Sequence, residues 1–169
     1  MIDTWSTEYA SEPHTRFSLL STADRRLFYW GRIMLQRLNT LELMALLIRA
    51  EADDQPEAGK LAVAWTVVER VDARPWRYGT NLRAVMLKPA QYSCFNEERH
   101  WKRFYEPESP LFLEAFGLAI GVICGERPNP AAGATHYYNP SLAKPYWADP
   151  KYAQFVAQIG DHVFMREIV

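Results

Sequence analysis

Apolar residues recur at helical spacing in several stretches of the chain, and polar punctuation between them divides it into short helices and one long irregular segment. Ser21, with Asp24 three places on, resembles a capping box that opens a helix carrying Leu27, Met34, Leu35 and Leu38 on one face. Arg25, Arg26, Arg32 and Arg37 line much of the remainder, which reads as a solvated basic face or as one turned to an anionic surface. Asn39 and Glu42 form a second capping signal, ahead of a helix with Leu43, Leu47 and Ala50 on its inner stripe. Asp54 and Glu57 form a third, with Pro56 in the first turn of the next helix. There Leu61, Ala64, Trp65 and Val68 follow the i, i+3, i+4, i+7 rule, while Gly59 and Ala62 permit close approach of a neighbour, so this helix should be central and buried.

Beyond the loop at residues 72–79, Thr80 is placed to cap a short helix through Leu82, Val85 and Met86 that Pro89 ends, leaving Gln91, Tyr92 and Ser93 on a loop. Ser109 and Pro110 start a second core helix along Leu111, Ala115, Leu118, Ala119 and Val122, with Gly125 as its stop. Residues 126–147 are rich in Pro, Gly, Asn and aromatics without helical period, predicting loop with one short strand at 136–138. A last helix is predicted over 152–159 and a short strand over 160–164. The sum is a mainly α chain, α+β with a small β element, without internal repeats or a second domain.

The stripe of Leu43, Leu47 and Ala50 also carries Glu51, which puts an ionisable acid where a Leu is expected. Removal from water raises a carboxyl pKa and favours the protonated form, the state a general acid needs near neutral pH. The alternative is a helix that ends one residue earlier and leaves Glu51 solvated beside Ala52, Asp53 and Asp54, and these residues alone leave both open.

Composition narrows the function classes. The 169 residues suit one domain with a sizeable core, and 49% hydrophobic with 23% charged residues argues against disorder. An aromatic share of 14%, with 6 Trp and 9 Tyr, suits a sugar-binding groove, although core packing can absorb many of them. A formal net charge of -1 without a Lys/Arg-rich run argues against nucleic acid as a partner. Cys94 and Cys124 are too few for a disulfide framework, and the apolar surroundings of Cys124 predict a buried free thiol. The first twenty residues, broken by Glu8, Glu12, Pro13 and Arg16, have no secretory core, and no apolar run is long enough to span a bilayer. The expectation is a monomer made in a bacterial cytoplasm, without membrane insertion, metal or cofactor.

Several separated pieces then coincide: Ile48-Arg49-Ala50-Glu51-Ala52, GKLAVAWTVVERV at 59–71, Gln91-Tyr92-Ser93, GATHYYNP at 133–140, Trp147, and IGDHVF at 159–164. In order and spacing they resemble the SleB-type cell-wall hydrolase family, whose best known members open the spore cortex. The resemblance covers residues 41 to 166. It divides the chain into an amino-terminal extension, 1–40, with one helix packed on the core, and a lysozyme-like domain, 41–169, in one structural domain overall. It implies action on the glycan strands of peptidoglycan, at the β-1,4 bond between N-acetylmuramic acid and N-acetylglucosamine, with Glu51 as the catalytic acid. By the same resemblance Gln91, Ser93, His136, Tyr137, Tyr138 and Asn139 surround the cleft, and Tyr92 and Trp147 complete the candidate substrate-binding set. Departures are modest: Glu69 stands where relatives often carry Asn before Arg70-Val71, Tyr92 replaces a common Phe, and the amino-terminal helix matches nothing in the family. A wall-degrading activity without an export signal suggests a phage or prophage endolysin or lysis factor, or a virion-associated enzyme.

Breaking such a bond needs a proton on the leaving oxygen while an oxocarbenium-like centre develops. Asp53, Asp54 and Glu57 are the nearby candidates for a second carboxylate, with helix capping the plain alternative for Asp54 and Glu57. Without a clear second acid the resemblance points to a lytic transglycosylase, in which the sugar's 6-hydroxyl attacks and leaves a 1,6-anhydro end, beside the lysozyme-type muramidase. Gln91 and Ser93 could bind an N-acetyl group, Tyr137, Tyr138 and Trp147 could stack on sugars, and His136 could bond Glu51 or the glycan; each also has a structural reading. The rivals are a cysteine amidase or endopeptidase using Cys94, His136 and Asn139, a zinc hydrolase using His100, His136 and His162, and a non-catalytic glycan-binding virion protein.

Overall fold

The computed structural model describes residues 34–96 and 98–168. Helix α1 (Thr40–Ala52) and helix α2 (Glu57–Ala73) pack against each other across a short loop, followed by the short helices α3 (Pro75–Tyr78), α4 (Leu82–Leu87) and α5 (Glu98–Trp101). Helix α6 (Pro110–Ile123) packs on α1 and α2, and the chain ends in a three-stranded antiparallel sheet of β1 (His136–Tyr138), β2 (Ala153–Ile159) and β3 (His162–Glu167) in the order β1-β3-β2. The helix predicted from Ser21, with Arg25, Arg26 and Arg32, lies outside the described residues. Residues 34–37 are helical, Leu35 and Leu38 are buried in the core, and Met34 and Arg37 are exposed.

Local signals explain most of the helical frame. The Asn39 side chain accepts from the Glu42 amide (3.0 Å) while Glu42 Oε2 accepts from the Asn39 amide (2.7 Å), the reciprocal capping box that starts α1. Ser109 likewise accepts from the Phe112 amide (3.2 Å) to open α6. Helix α1 is buried nearly all round, from Leu43 to Ala50, because α6 covers one side and α2 another. Helix α2 buries Leu61 and Ala64 of its expected stripe together with Ala62, Val63 and Val67, while Trp65 and Val68 are half-buried at the margin.

Five details differ from the sequence expectations. The Asp54–Glu57 box does not form: Pro56 occupies the N-cap of α2, Glu57 pairs with Arg127 (3.0 Å), and Asp54 accepts from Gln55 Nε2 (2.9 Å). The cap of α4 is Asn81, whose side chain accepts from the Ala84 amide (2.9 Å), one residue beyond Thr80. On α6 Ala115, Leu118, Ala119 and Val122 are buried as expected, but in the first turn Phe112 takes the inner position and Leu111 is half exposed. Cys124 falls at the C-cap of that helix and is exposed, so its apolar neighbours in sequence do not enclose it.

The fifth difference is the largest. Residues 153–159 form strand β2 rather than a helix, paired to β3 from Ala153↔Glu167 to Ile159↔His162. A register shift between Phe155 and Ala157 inserts one extra residue, which breaks the two-residue alternation and hides the strand from a periodicity reading. Gly160 turns the hairpin at φ +57°, and a Cβ there would lie 2.4 Å from Gln55 Oε1. Buried Gln55 accepts from the Asp161 amide (2.9 Å) and so ties the hairpin to the α1–α2 loop.

Candidate active site

Helix α1 runs through Glu51 to Ala52, and the Glu51 side chain is half-buried. Two chain segments far away in sequence converge on it. The first is the 3-10 turn Ser93–Phe95, whose opening amides have no partner inside the turn, as at the start of any helix. One of them, Cys94 N, donates to Glu51 Oε1 at 3.1 Å, and the Ser93 hydroxyl approaches the same oxygen at 3.4 Å. The second is β1, from which the Tyr137 hydroxyl donates to Glu51 Oε2 at 3.1 Å. A carboxylate offers about four acceptor sites, so among the described residues these donors fix its plane and leave one site on Oε2.

Strand geometry decides which of the three aromatic neighbours reaches the acid. Successive side chains point to opposite faces, so Tyr137 turns to Glu51 while His136 and Tyr138 turn to Trp147. The Tyr137 ring is seated against His162 (centroids 5.2 Å) and Phe164 (5.8 Å) on β3, which sets where its hydroxyl points. His136 packs on Trp147 (4.8 Å) and Tyr78 (6.0 Å), and its Nδ1 bonds to the Thr135 hydroxyl (3.0 Å) rather than to Glu51. Burial, helped by the charges of Arg70 and Arg77, lowers its pKa to about 3, so it is neutral above that pH. Tyr138 meets Trp147 edge-on at 5.6 Å, and both are half-buried.

The remaining candidates have other work. The Gln91 carboxamide accepts from Arg70 Nη1 (3.0 Å) and donates to the Tyr78 carbonyl (2.9 Å), so neither end faces an open site. Tyr92 is only 2% exposed, with its hydroxyl 3.3 Å from that of Thr66 and its ring 4.7 Å under the Arg70 guanidinium; it is a core residue with no surface for a sugar. Asn139 Oδ1 accepts from the Ser141 amide (2.9 Å) and shapes the turn after β1. Of the acids near Glu51 in sequence, Asp53 pairs with Arg49, and Asp54 and Glu57 have the partners given above.

Of the residues in the rival constellations, Cys94 is 5% exposed, His136 Nδ1 bonds to the Thr135 hydroxyl, and Asn139 Oδ1 accepts from the Ser141 amide. Among the described residues no group of three or more His, Cys, Asp and Glu side chains is placed to hold a metal ion, and this includes His100, His136 and His162. A cavity of about 100 Å³ lies between Leu35, Leu87, Pro89 and Phe95, and none of the site residues lines it.

Two residues assigned no part in the site from the sequence, Arg70 and Glu69, hold the segments around Glu51. Arg70 bonds both segments that reach Glu51, and Glu69 Oε1 accepts from Asn129 Nδ2 and the Gly133 amide (both 2.7 Å), pinning the loop that leads into β1. Arg70 was detectable as a charge on the inner stripe of α2, at i+3 and i+7 from Val67 and Val63.

A family model described as Cell Wall Hydrolase matches residues 54–165, more than half of the chain. The chain belongs to this SleB-type cell wall hydrolase family. The matched segment includes Ser93, Tyr137 and Trp147 and begins just after Glu51. Similar curated proteins are the spore cortex-lytic enzymes of Halalkalibacterium halodurans, 26% identical over 128 residues, and Oceanobacillus iheyensis, 25% identical over 130 residues. The alignments take in 75% and 76% of this chain but 34% and 42% of those proteins, so the chain spans well under half of their length. Among solved structures, the catalytic domain of Bacillus cereus SleB matches with a TM-score of 0.60 at 22% identity, over 75% of this chain and 89% of that one. The catalytic domain of the germination-specific lytic transglycosylase SleB from Bacillus anthracis matches at 0.59 and 21%, over 75% and 93%. These likenesses establish the expected fold, mostly helical with a small sheet.

Proposed function

We propose that the chain is a peptidoglycan glycosidase that cleaves the β-1,4 bond between N-acetylmuramic acid and N-acetylglucosamine, by lytic transglycosylation. The observation that carries this reading is the Glu51 carboxyl, half-buried and held by Cys94 N, Ser93 Oγ and Tyr137 Oη with one acceptor site to spare. Glu51 gives its proton to the glycosidic oxygen as the bond from the muramic C1 to that oxygen breaks. The muramic 6-hydroxyl then bonds to C1 and returns its proton to Glu51, which closes the anhydro ring and restores the acid. The 6-hydroxyl replaces the second carboxylate that other glycosidases use, in keeping with the engagement of Asp53, Asp54 and Glu57 elsewhere. In a lysozyme-type muramidase, water would take the place of the 6-hydroxyl.

Trp147 and Tyr138 are the proposed stacking surface for the glycan, whose strands are the sole proposed partner of a monomer. No helix among the described residues is long and apolar enough to cross a membrane. The proposed setting is a phage or prophage lysis factor, made in the host cytoplasm and acting on the wall after release.

Mass spectrometry of fragments released from purified sacculi tests the reaction: anhydro ends support it, reducing ends point to the muramidase, and free stem peptides refute a glycosidase. Glu51→Gln keeps the shape and removes the transferable proton. It should lower the release rate by about 10² to 10⁴ while circular dichroism and sacculus binding stay unchanged, and undiminished lysis would end the assignment.

A further inference from the structure

Glu51 is held by two segments that have no covalent reason to agree on its position, and one buried cation connects them. Arg70 is 6% exposed on the inner face of α2, and among the described residues its partners are all uncharged. Its Nε donates to the Thr135 carbonyl at 2.7 Å, two residues before Tyr137. Its Nη1 donates to the Gln91 side-chain oxygen at 3.0 Å and approaches the Gln91 carbonyl at 3.4 Å, two residues before Ser93. The guanidinium lies over the rings of Tyr92 (4.7 Å) and Tyr78 (5.5 Å), which hold its plane. Burying a cation without an ion partner is costly, and a well-packed apolar residue would serve stability better. What Arg supplies and an apolar residue cannot is a rigid fork whose arms reach both segments at once.

We propose that Arg70 is a positioning residue for the reaction of Glu51: it fixes the Gln91–Cys94 segment relative to Thr135–Tyr137, so that Ser93 Oγ, Cys94 N and Tyr137 Oη meet one carboxylate. This rests on the glycosidase reading given above. It makes Gln91 part of the brace rather than a substrate ligand. The role requires two arms, so Lys, with one nitrogen at the end of a flexible stem, cannot fill it.

The test measures initial rates on soluble glycan strands for wild type, Arg70→Lys, Ser93→Ala/Tyr137→Phe, and the triple variant, with thermal unfolding of each. Arg70→Lys should lower kcat by about 10- to 100-fold, as small misplacements of a reacting group do, with KM within about two-fold. In the Ser93→Ala/Tyr137→Phe background, two of the three donors that the brace aligns are gone, and the same change should cost less than about 3-fold. An equal loss in both backgrounds, or none in wild type, overturns the proposal, since a merely structural role is indifferent to those donors. Gln91→Met decides the matter if Arg70→Lys does not fold: a kcat about 3-fold lower at constant KM supports the brace, and an unchanged kcat or a raised KM alone refutes it. A wild type that releases no glycan fragment refutes the glycosidase reading instead, so the two failures are distinguishable.

Discussion

Tyr137→Phe isolates the part of the site that tertiary structure alone supplies. The substitution removes one hydroxyl, the donor 3.1 Å from Glu51 Oε2, and leaves the ring in its seat against His162 and Phe164. Hydrogen bonds to charged groups contribute about 1.5 to 3 kcal/mol, and water can partly replace this one because Glu51 is half-buried, so the lower end applies. If that orienting energy is felt in the transition state, about 1.5 kcal/mol corresponds to a roughly 10-fold lower kcat. KM should hold, because the hydroxyl is spent on the acid and not on the sugar. Ser93→Ala is the internal control: its contact, at 3.4 Å, is at the outer limit of a hydrogen bond, so the loss should be under about 3-fold. Release of fragments from glycan strands gives both constants, and thermal unfolding verifies that the lost hydroxyl shifts Tm by no more than about 4 °C. A Tyr137→Phe enzyme with full kcat, or one whose only defect is a higher KM, refutes the orienting role.

Two further outcomes follow from the site. Cys94→Ser should retain the rate within about two-fold, because the group that bonds Glu51 is the backbone amide and not the thiol; an inactive variant would revive the cysteine mechanism. Stability should fall in acid. His136 is lowered from 6.5 to about 3, by burial first, and burial lowers His162 as well, so between these values the unfolded chain binds protons that the native one does not. The His136 contribution is fully present above about pH 6.5 and declines as pH falls toward 3, by up to about 1.4 kcal/mol per pH unit. Urea unfolding between pH 7 and 4.5 measures the slope, which His136→Phe should flatten; an unchanged slope contradicts the assignment.

The local signals in the chain translate into structure where their partners lie within one helical turn. Asn39 with Glu42 and Ser109 with the Phe112 amide close over three residues, and both were legible. The stripe of Leu43, Leu47 and Ala50 left Glu51 either on the inner face or solvated beyond a shorter helix, and α1 extends through it with the Glu51 side chain half-buried. Errors arose where a distant partner intervened. Strand β2 exists because β3 pairs with it across a bulge that period alone does not register, and Glu57, expected to close a capping box with Asp54, pairs with Arg127 instead. Tyr92 resembled a loop aromatic but is drawn into the core, where Thr66 and Arg70 receive it.

The amino-acid sequence by itself determined most of the helical frame, since helix period and capping act between near neighbours, and its family resemblance pointed to Glu51 and to the segments proposed to carry the functional groups. It did not determine which of those groups touch. Ser93, Cys94 and Tyr137 stand 42, 43 and 86 residues from Glu51, and strand alternation turns Tyr137 rather than His136 or Tyr138 toward it. Only the packing of α1, α2 and the sheet around Arg70 brings those distances down to hydrogen-bond length, because hydrogen bonding is a short-range interaction between groups the chain places far apart.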